Sequence, residues 1–149
     1  MGRKKWSKLL FAAYCLLMLW LLYGQRMGQS SGKPYWTELR GNLLLEPLDT
    51  IRRFLWVLRH SSNEAYIRHA VVNLVGNVVM FVPLGFFQPY LLSSLRKWHK
   101  TMLTTVVLIF SVEVVQYITG LGSCDIDDLI LNLAGAWIGY ILWRITRRK

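Results

Sequence analysis

Long apolar runs separated by clusters of cations dominate the pattern along the chain. Each of these runs approaches the roughly 20 residues that a helix needs to cross a bilayer. They predict membrane spans at about residues 7–23, 70–92, 101–119 and 127–143. The predicted fold class is therefore all-α: a four-helix transmembrane bundle formed by a single domain over residues 1–149.

The first apolar run follows a basic N-terminus, so it is either a retained helix or a cleaved signal peptide. The residues after it, GQRMGQSSG, offer no good small-x-small cleavage site, which favours a retained first span. The stretch Gly24–Pro34 is rich in Gly and Ser and predicts a loop.

A second kind of pattern begins after Pro47, where apolar residues recur at helical spacing and arginines lie off that stripe. The apolar stripe contains Leu48, Ile51, Leu55 and Leu58. This segment has too many charges to span a membrane. It predicts an amphipathic helix at about residues 48–60, in the first extracellular loop, lying on the membrane surface or capping the bundle.

The charge distribution predicts the orientation of the spans. The chain has 18 Lys and Arg against 8 Asp and Glu, a formal charge of +10. Because the cations flank apolar spans rather than line one face, the charge indicates a membrane protein and no nucleic-acid partner. The short loop Arg96–Lys100 has 3 cations and the loop at 120–126 has none. The positive-inside rule therefore places both termini in the cytoplasm.

Polar side chains concentrate where the second, third and fourth spans approach the predicted outer surface. A rise of about 1.5 Å per residue puts them at one level in the outer leaflet. Steps of three and four residues put each set on one helix face. We therefore expect an outward-opening, ligand-binding pocket lined by Asn73, Asn77, Glu113, Gln116, Asp125, Asp128 and Asn132. Asp127 lies off its stripe and is expected to face water.

Simpler roles compete with this pocket. Asn and Gln in spans often only join helices by hydrogen bonds. Ser123, Asp125 or Asp127 would also serve as a cap for the fourth helix. The pair Gly135 and Gly139 indicates close helix packing.

Glu113 is the hardest residue to explain by a simple role, because no Lys or Arg lies in the spans to pair with it. It must be protonated, hydrogen-bonded to an amide, or bound to a cation. Glu113, Asp125 and Asp128 would together suit a hard divalent cation, the candidate cofactor. Glu113 and Asp128 are the candidate catalytic residues, with Glu113 as a general base. Ser111 and Ser123 have no evident His partner for nucleophilic catalysis.

Two sequence blocks resemble the VanZ-like family of bacterial membrane proteins. The first is N-x-x-x-N-x-x-x-F-x-P-x-G, which begins at Asn73, and the second is E-x-x-Q followed by D-x-x-D-x-x-x-N-x-x-G-x-x-x-G, which begins at Glu113. The resemblance extends from about Asn42 to the C-terminus. Many family members have an Arg in the loop before the first Asp, where this chain has Gly122, Ser123 and Cys124.

The resemblance implies a multi-pass protein of the bacterial cytoplasmic membrane. The founding member of the VanZ-like family is linked to low-level resistance to teicoplanin, a lipid-tailed glycopeptide that acts on cell-wall precursors outside the membrane. The resemblance thus suggests an envelope factor whose pocket engages membrane lipids, a lipid-linked cell-wall precursor or a lipoglycopeptide. The residues leave two alternatives open: a membrane enzyme acting on a lipid-linked phosphate or ester, and a structural helix bundle that assembles with a partner.

Overall fold

The computed structural model describes residues 2–24 and 35–147, so the loop predicted at Gly24–Pro34 lies almost wholly outside the described residues. Six α-helices and one short parallel strand pair make up the described fold. The helices are α1 (Gly2–Leu19, continued by a π-helical turn at Trp20–Gly24), α2 (Tyr35–Gly41), α3 (Asp49–His60), α4 (Glu64–Leu91), α5 (Trp98–Thr119) and α6 (Ile126–Arg147). The strands are β1 (Leu43–Leu44) and β2 (Cys124–Asp125).

Four of the helices are long and apolar enough to cross a membrane, which confirms the predicted all-α bundle. They comprise Lys5–Gly24, Glu64–Leu91, Trp98–Thr119 and Ile126–Arg147. The second begins earlier than the predicted 70–92, because Asn63 caps it: its side-chain oxygen accepts from the Ala65 N–H at 3.0 Å. This helix continues through Pro83 and Pro89 without interruption.

The centre of the bundle is the parallel pair α4 and α6, which pack backbone against backbone. A Cβ at Gly139 would lie 2.0 Å from the carbonyl oxygen of Val82, and one at Gly135 would lie 2.0 Å from that of Val78. These contacts confirm the close packing predicted for the two glycines. Gly85 of α4 makes the reciprocal contact with the backbone of α6. Small residues stabilise membrane helix pairs because they allow such close approach.

The helices α1 and α5 pack around this pair and complete the core. The Tyr14 hydroxyl of α1 donates to the Met80 carbonyl of α4 at 2.8 Å, which ties the first span to the central pair. The buried apolar core contains Met18, Phe81, Leu84 and Ile109.

The chain direction of the spans gives the bundle two chemically different ends. At one end α4 and α6 begin and α5 ends. Every Asp and Glu of the described spans and of the segment 43–64 lies in this half of the bundle, so we call it the acidic end. At the other end α4 ends, α5 begins and α6 ends, and the loop and helix termini there are rich in Lys and Arg; we call it the basic end.

Candidate functional site

The amphipathic helix α3 is fixed to the acidic end by Asp127. The Asp127 carboxylate is fully buried and accepts hydrogen bonds from the backbone N–H groups of Leu48 (2.5 Å) and Ile51 (2.9 Å). Leu48 stands at the N-cap of α3, adopts a left-handed conformation with φ 68°, and provides no side-chain cap. Asp127 therefore supplies from α6 the acceptor that α3 lacks. The prediction that Asp127 faces water is wrong, because it satisfies the orphan donors of another helix.

Asp125 connects α6, α3 and α5 at the same end. Its Oδ1 accepts from the Asp127 N–H at 2.9 Å and so caps α6, which confirms that one of the acidic residues before this helix is a cap. Its Oδ2 accepts from the Thr50 hydroxyl of α3 at 2.8 Å. Its own N–H donates to Oε2 of Glu113 on α5 at 3.3 Å, and both side chains are buried. The carboxyl of Glu113 is thus in contact with the start of α6.

Asn77 and Asp128 join the second and fourth spans directly, since the Asn77 side-chain amide donates to the Asp128 carboxylate at 2.5 Å. Asn73 lies one turn closer to the acidic end, where its amide donates to the His69 carbonyl at 3.0 Å. Three of the predicted polar residues therefore occupy one face between α4 and α6.

A two-residue parallel pairing of β1 with β2 holds the segment before α3 against the loop before α6. Leu43 is opposite Cys124 and Leu44 is opposite Asp125, and the Cys124 N–H donates to the Asn42 carbonyl at 2.8 Å. This pairing and the Asp127 cap fix both the entry and the first turn of α3 relative to the spans.

A cavity of about 380 Å³ lies between α3 and the acidic end of the bundle. Of the predicted pocket residues, Asn73, Asp125 and Asp128 line it. Two polar residues of α3 (Thr50 and Arg53), His69 of α4 and Ser123 of the loop complete its polar wall, and its apolar wall consists of Leu44, Phe54 and Val57. The volume is in the range of small-ligand sites, and the mixed wall is typical of them.

The other four predicted residues do not line this cavity. Asn77 and Glu113 support it from behind, through Asp128 and the backbone of Asp125. Gln116 instead donates to the Leu22 carbonyl at 2.9 Å and so ties α5 to the first span. Asn132 is buried one turn below Asp128, and its side-chain oxygen finds no hydrogen-bond partner within residues 2–24 and 35–147.

Comparison with known proteins decides the family. The family model described as VanZ/LLP1 matches residues 10–147. The chain belongs to the VanZ/LLP1 family. A curated relative, Protein VanZ from Enterococcus faecium, is 27% identical over 75 residues, which are 50% of this chain and 46% of that protein. The chain thus matches about half the length of this relative. No solved structure matches the chain.

Helix termini explain how a VanZ/LLP1 bundle tolerates so many carboxylates. Asp125, Asp127 and Asp128 all lie at the N-terminus of α6, and Asp127 also lies at that of α3, where free N–H groups and the helix dipole stabilise negative charge. The side chain of Arg53 lines the same cavity and pairs with Asp49 at 3.0 Å. The wall of the cavity thus contains a cation, and α3 supplies it.

In this VanZ/LLP1 structure, hydrogen bonds within the protein already use carboxylate oxygens of the predicted divalent-cation site. No three His, Cys, Asp or Glu side chains within the described residues are grouped so that they could hold a metal ion. Asp125 is bonded to Thr50 and to backbone, and Asn77 approaches Asp128. The hydrogen bonds present therefore use oxygens that a metal would need.

Sequence reasoning missed the contribution of α3 and of His69. Arg53 is one of the arginines off the apolar stripe and His69 directly precedes the predicted second span, yet both line the cavity. The imidazole of His69 lies against Phe54, with ring centroids 5.6 Å apart. The one available signal was the helix start at Leu48, which has no Ser, Thr, Asp or Asn to cap it and so requires an acceptor from elsewhere.

Proposed function

We propose that this membrane protein of the VanZ kind acts at the outer face of the bacterial cytoplasmic membrane and lowers susceptibility to lipoglycopeptides such as teicoplanin. The cavity under α3 would bind a polar group of a membrane lipid or of a lipid-linked cell-wall precursor. The observation that supports this function is the cavity itself, which the bundle, the loop before α6 and α3 build together.

The wall of the cavity suggests the chemistry of its ligand. The wall contains the cationic side chain of Arg53 and the imidazole of His69, together with the carboxylates of Asp125 and Asp128. A group with both anionic oxygens and hydrogen-bond donors matches this mixture of side chains. The apolar wall, which includes Phe54, suits the start of a lipid tail. Binding there would change how a lipid-anchored antibiotic engages its target at the same surface.

The cation distribution supports an outward acidic end, with both termini in the cytoplasm. In this orientation α3 lies at the outer membrane surface. Leu48, Leu55 and Trp56 are exposed on one side of α3, next to the exposed Arg52 and Arg59. An amphipathic helix at a membrane surface has this arrangement, because long cationic side chains reach water from beside buried apolar ones.

Cys124 provides a test of this orientation. We expect a membrane-impermeant maleimide to label it on intact cells, but slowly at neutral pH. Burial raises the pKa of the Cys124 thiol above its ordinary value, and the negative charges of Glu113 and Asp125 raise it further. Because only the thiolate reacts, the labelling rate should rise about tenfold per pH unit from 7 to 9 without reaching a plateau.

The labelling is measured by mass spectrometry in a Cys15→Ser background, which leaves one thiol in the chain. Inverted membrane vesicles are the matched control, since their outer surface is the former cytoplasmic face. Labelling in inverted vesicles but not in intact cells would contradict the proposed orientation.

The function itself is tested by drug susceptibility. Expression in a sensitive host should raise the minimal inhibitory concentration of teicoplanin, and Glu113→Gln or Asp128→Asn should return it to the host level. The replacement glutamine can still accept from the Asp125 N–H, and the replacement asparagine can still accept from the Asn77 amide. They remove negative charge at or directly behind the cavity.

Glu64→Gln is the matched control, because it makes the same chemical change at an exposed position in the first turn of α4. It should protect as well as the original protein. The amount of each variant in the membrane is measured in parallel. Full protection by both Glu113→Gln and Asp128→Asn would exclude the cavity as the active element. A loss of membrane-inserted protein instead would favour a purely structural role.

A further inference from the structure

The basic end of the bundle has a cationic groove that the proposed function does not use. Two adjacent cavities, of about 240 and 400 Å³, open there, and Arg96, Trp143 and Arg147 line both of them. Arg144 completes the smaller cavity. Phe86, Tyr90 and Thr146 complete the larger one. We treat the two as one feature, the arginine groove, since they share three residues.

The groove contains no carboxylate side chain. All eight Asp and Glu of the chain occur within residues 38–64 and 113–128, which leaves 65–112 and 129–149 without one. The elements that form the groove are the end of α4, the loop after it and the last turn of α6. Three arginines therefore line one groove with no acidic side chain from these elements to neutralise them.

Buried aromatic residues hold the arginines in place. The Tyr140 hydroxyl donates to the Arg96 carbonyl at 2.9 Å, and Nη1 of Arg144 donates to that hydroxyl at 3.4 Å. The guanidinium of Arg147 lies over the ring of Trp143, 5.5 Å from its centroid. Tyr140 and Trp143 are both buried. The guanidinium groups of Arg144 and Arg147 are thus partly ordered before any ligand arrives, which lowers the entropy cost of binding.

Two general effects favour cations here without any ligand: the positive-inside bias and the helix dipole at the C-terminus of α6. Both would be satisfied by lysines or arginines extended into solvent. Neither requires three guanidinium groups to share one groove with the ring of Trp143 as its wall.

We propose that the arginine groove binds the headgroup phosphate of an anionic glycerophospholipid. Guanidinium groups bind phosphate oxygens with paired hydrogen bonds. Arg96 lies in the short connection between the second and third spans, five residues after Leu91, and Arg147 ends the fourth span, which places both near the depth of lipid headgroups. The aromatic side of the larger cavity, with Phe86 and Tyr90, leads back toward the hydrocarbon and suits the acyl chains. Basic pockets between membrane helices are a known form of lipid site.

The experiment measures lipids retained by the purified full-length protein. The protein is equilibrated in mixed micelles with equal amounts of phosphatidylcholine and phosphatidylglycerol, and bound lipids are counted by native mass spectrometry. We expect the protein to retain phosphatidylglycerol in preference to phosphatidylcholine. The double variant Arg96→Gln with Arg147→Gln should reduce its retention about 30-fold, since each cation near an anionic lipid contributes about fivefold.

Lys97→Gln with Lys100→Gln is the matched control. It removes the same charge from the same end, but neither lysine lines the groove. Retention of phosphatidylglycerol by this control should fall less than about threefold, because neither lysine lines the groove and each acts only through screened, longer-range attraction. An equal fall in both double variants would overturn the site in favour of diffuse attraction, and so would unchanged retention in the arginine variant.

A steric variant keeps the proposal testable if the arginine variant does not fold. Thr146→Trp adds bulk at an exposed position on the wall of the larger cavity and changes no charge. It should also reduce phosphatidylglycerol retention, and unchanged retention would contradict a lipid in this groove. Displacement of the lipid by inorganic phosphate at millimolar concentration would show that the groove selects phosphate alone, which would overturn the lipid assignment.

Discussion

Asp127→Asn should release α3 from the bundle while leaving the four spans folded. The change removes the charge and replaces one carboxylate oxygen by an NH2 group, which cannot accept a hydrogen bond. The N–H groups of Leu48 and Ile51 both bond this carboxylate, and hydrogen bonds to charged groups contribute about 1.5–3 kcal/mol each. A replacement amide opposite an N–H group also leaves two donors facing each other. The loss should exceed the contribution of any exposed polar contact of α3.

Hydrogen exchange followed by mass spectrometry is the measurement. Backbone amides of α3 and of the preceding strand should lose protection, whereas those of α4 and α6 should keep it. The proposed teicoplanin protection should fall in the same variant, because α3 carries Thr50, Arg53 and Phe54 into the cavity wall.

Asp49→Asn is the matched control, an identical chemical change on α3 itself. Its carboxylate pairs with Arg53 in an exposed i, i+4 ion pair, and such pairs contribute about 0.3–0.5 kcal/mol. We expect no loss of exchange protection beyond the first turn of α3. If Asp127→Asn left α3 equally protected, the partly buried apolar contacts of Ile51, Phe54 and Val57 would have to hold this helix instead.

The spans could be predicted because each is specified by local information. Apolar runs predict where the spans lie, although α4 begins six residues before its predicted start because Asn63 caps it. The loop before α6 has no cations, and this separates it from the basic loop at the other end. The glycines of α6 also carried a local signal, because a four-residue step of small side chains is meaningful on any membrane helix. Gly85 was missed, since the residue that it contacts on α6, Ala136, is distant in sequence.

The acidic end could be predicted only in part, because its geometry depends on how α3 docks. A helical stripe sorts the residues of one helix into faces, but it does not say what lies beyond each face. Asp128 and Asn77 lie on facing stripes, and the structure brings them into contact. Asp127 lies off that stripe and faces α3 instead of water. The pairing of Leu43 with Cys124 involves strands of two residues, too short to leave a periodic pattern.

Cap chemistry carries more information here than periodicity does. The start of α4 has its own cap in Asn63, and the start of α6 has Asp125, so neither needs a partner. The start of α3 has Leu48 at the N-cap, and this side chain makes no capping hydrogen bond. A helix that lacks a side-chain cap leaves its first N–H groups to water or docks its N-terminus on an acceptor elsewhere in the chain, as α3 does. For α3 the acceptor is the carboxylate of Asp127, which lies off the polar stripe of α6.

Gly139→Ala is expected to destabilise the bundle more than any other single methyl addition in α6 except the same change at Gly135. The added Cβ would lie 2.0 Å from the Val82 carbonyl oxygen, and the atom it meets is backbone, which cannot turn away as a side chain can. The helices α4 and α6 would have to separate along their shared length. Overpacking usually costs about 1–3 kcal/mol, and a clash with helix backbone belongs at or above the upper limit. Thermal unfolding in detergent should show a lower midpoint and less folded protein.

Gly76→Ala adds the same methyl group to α4 where there is room for it. The nearest atom to its Cβ would be a side-chain carbon of Val72, 4.0 Å away, so no neighbour has to move. Alanine also has a better helix propensity than glycine, by about 1 kcal/mol in water. The midpoint should therefore stay constant or rise. Equal destabilisation by Gly76→Ala and Gly139→Ala would show that methyl groups harm these helices regardless of position, and that the close backbone contact of α4 with α6 is not what holds this helix pair together.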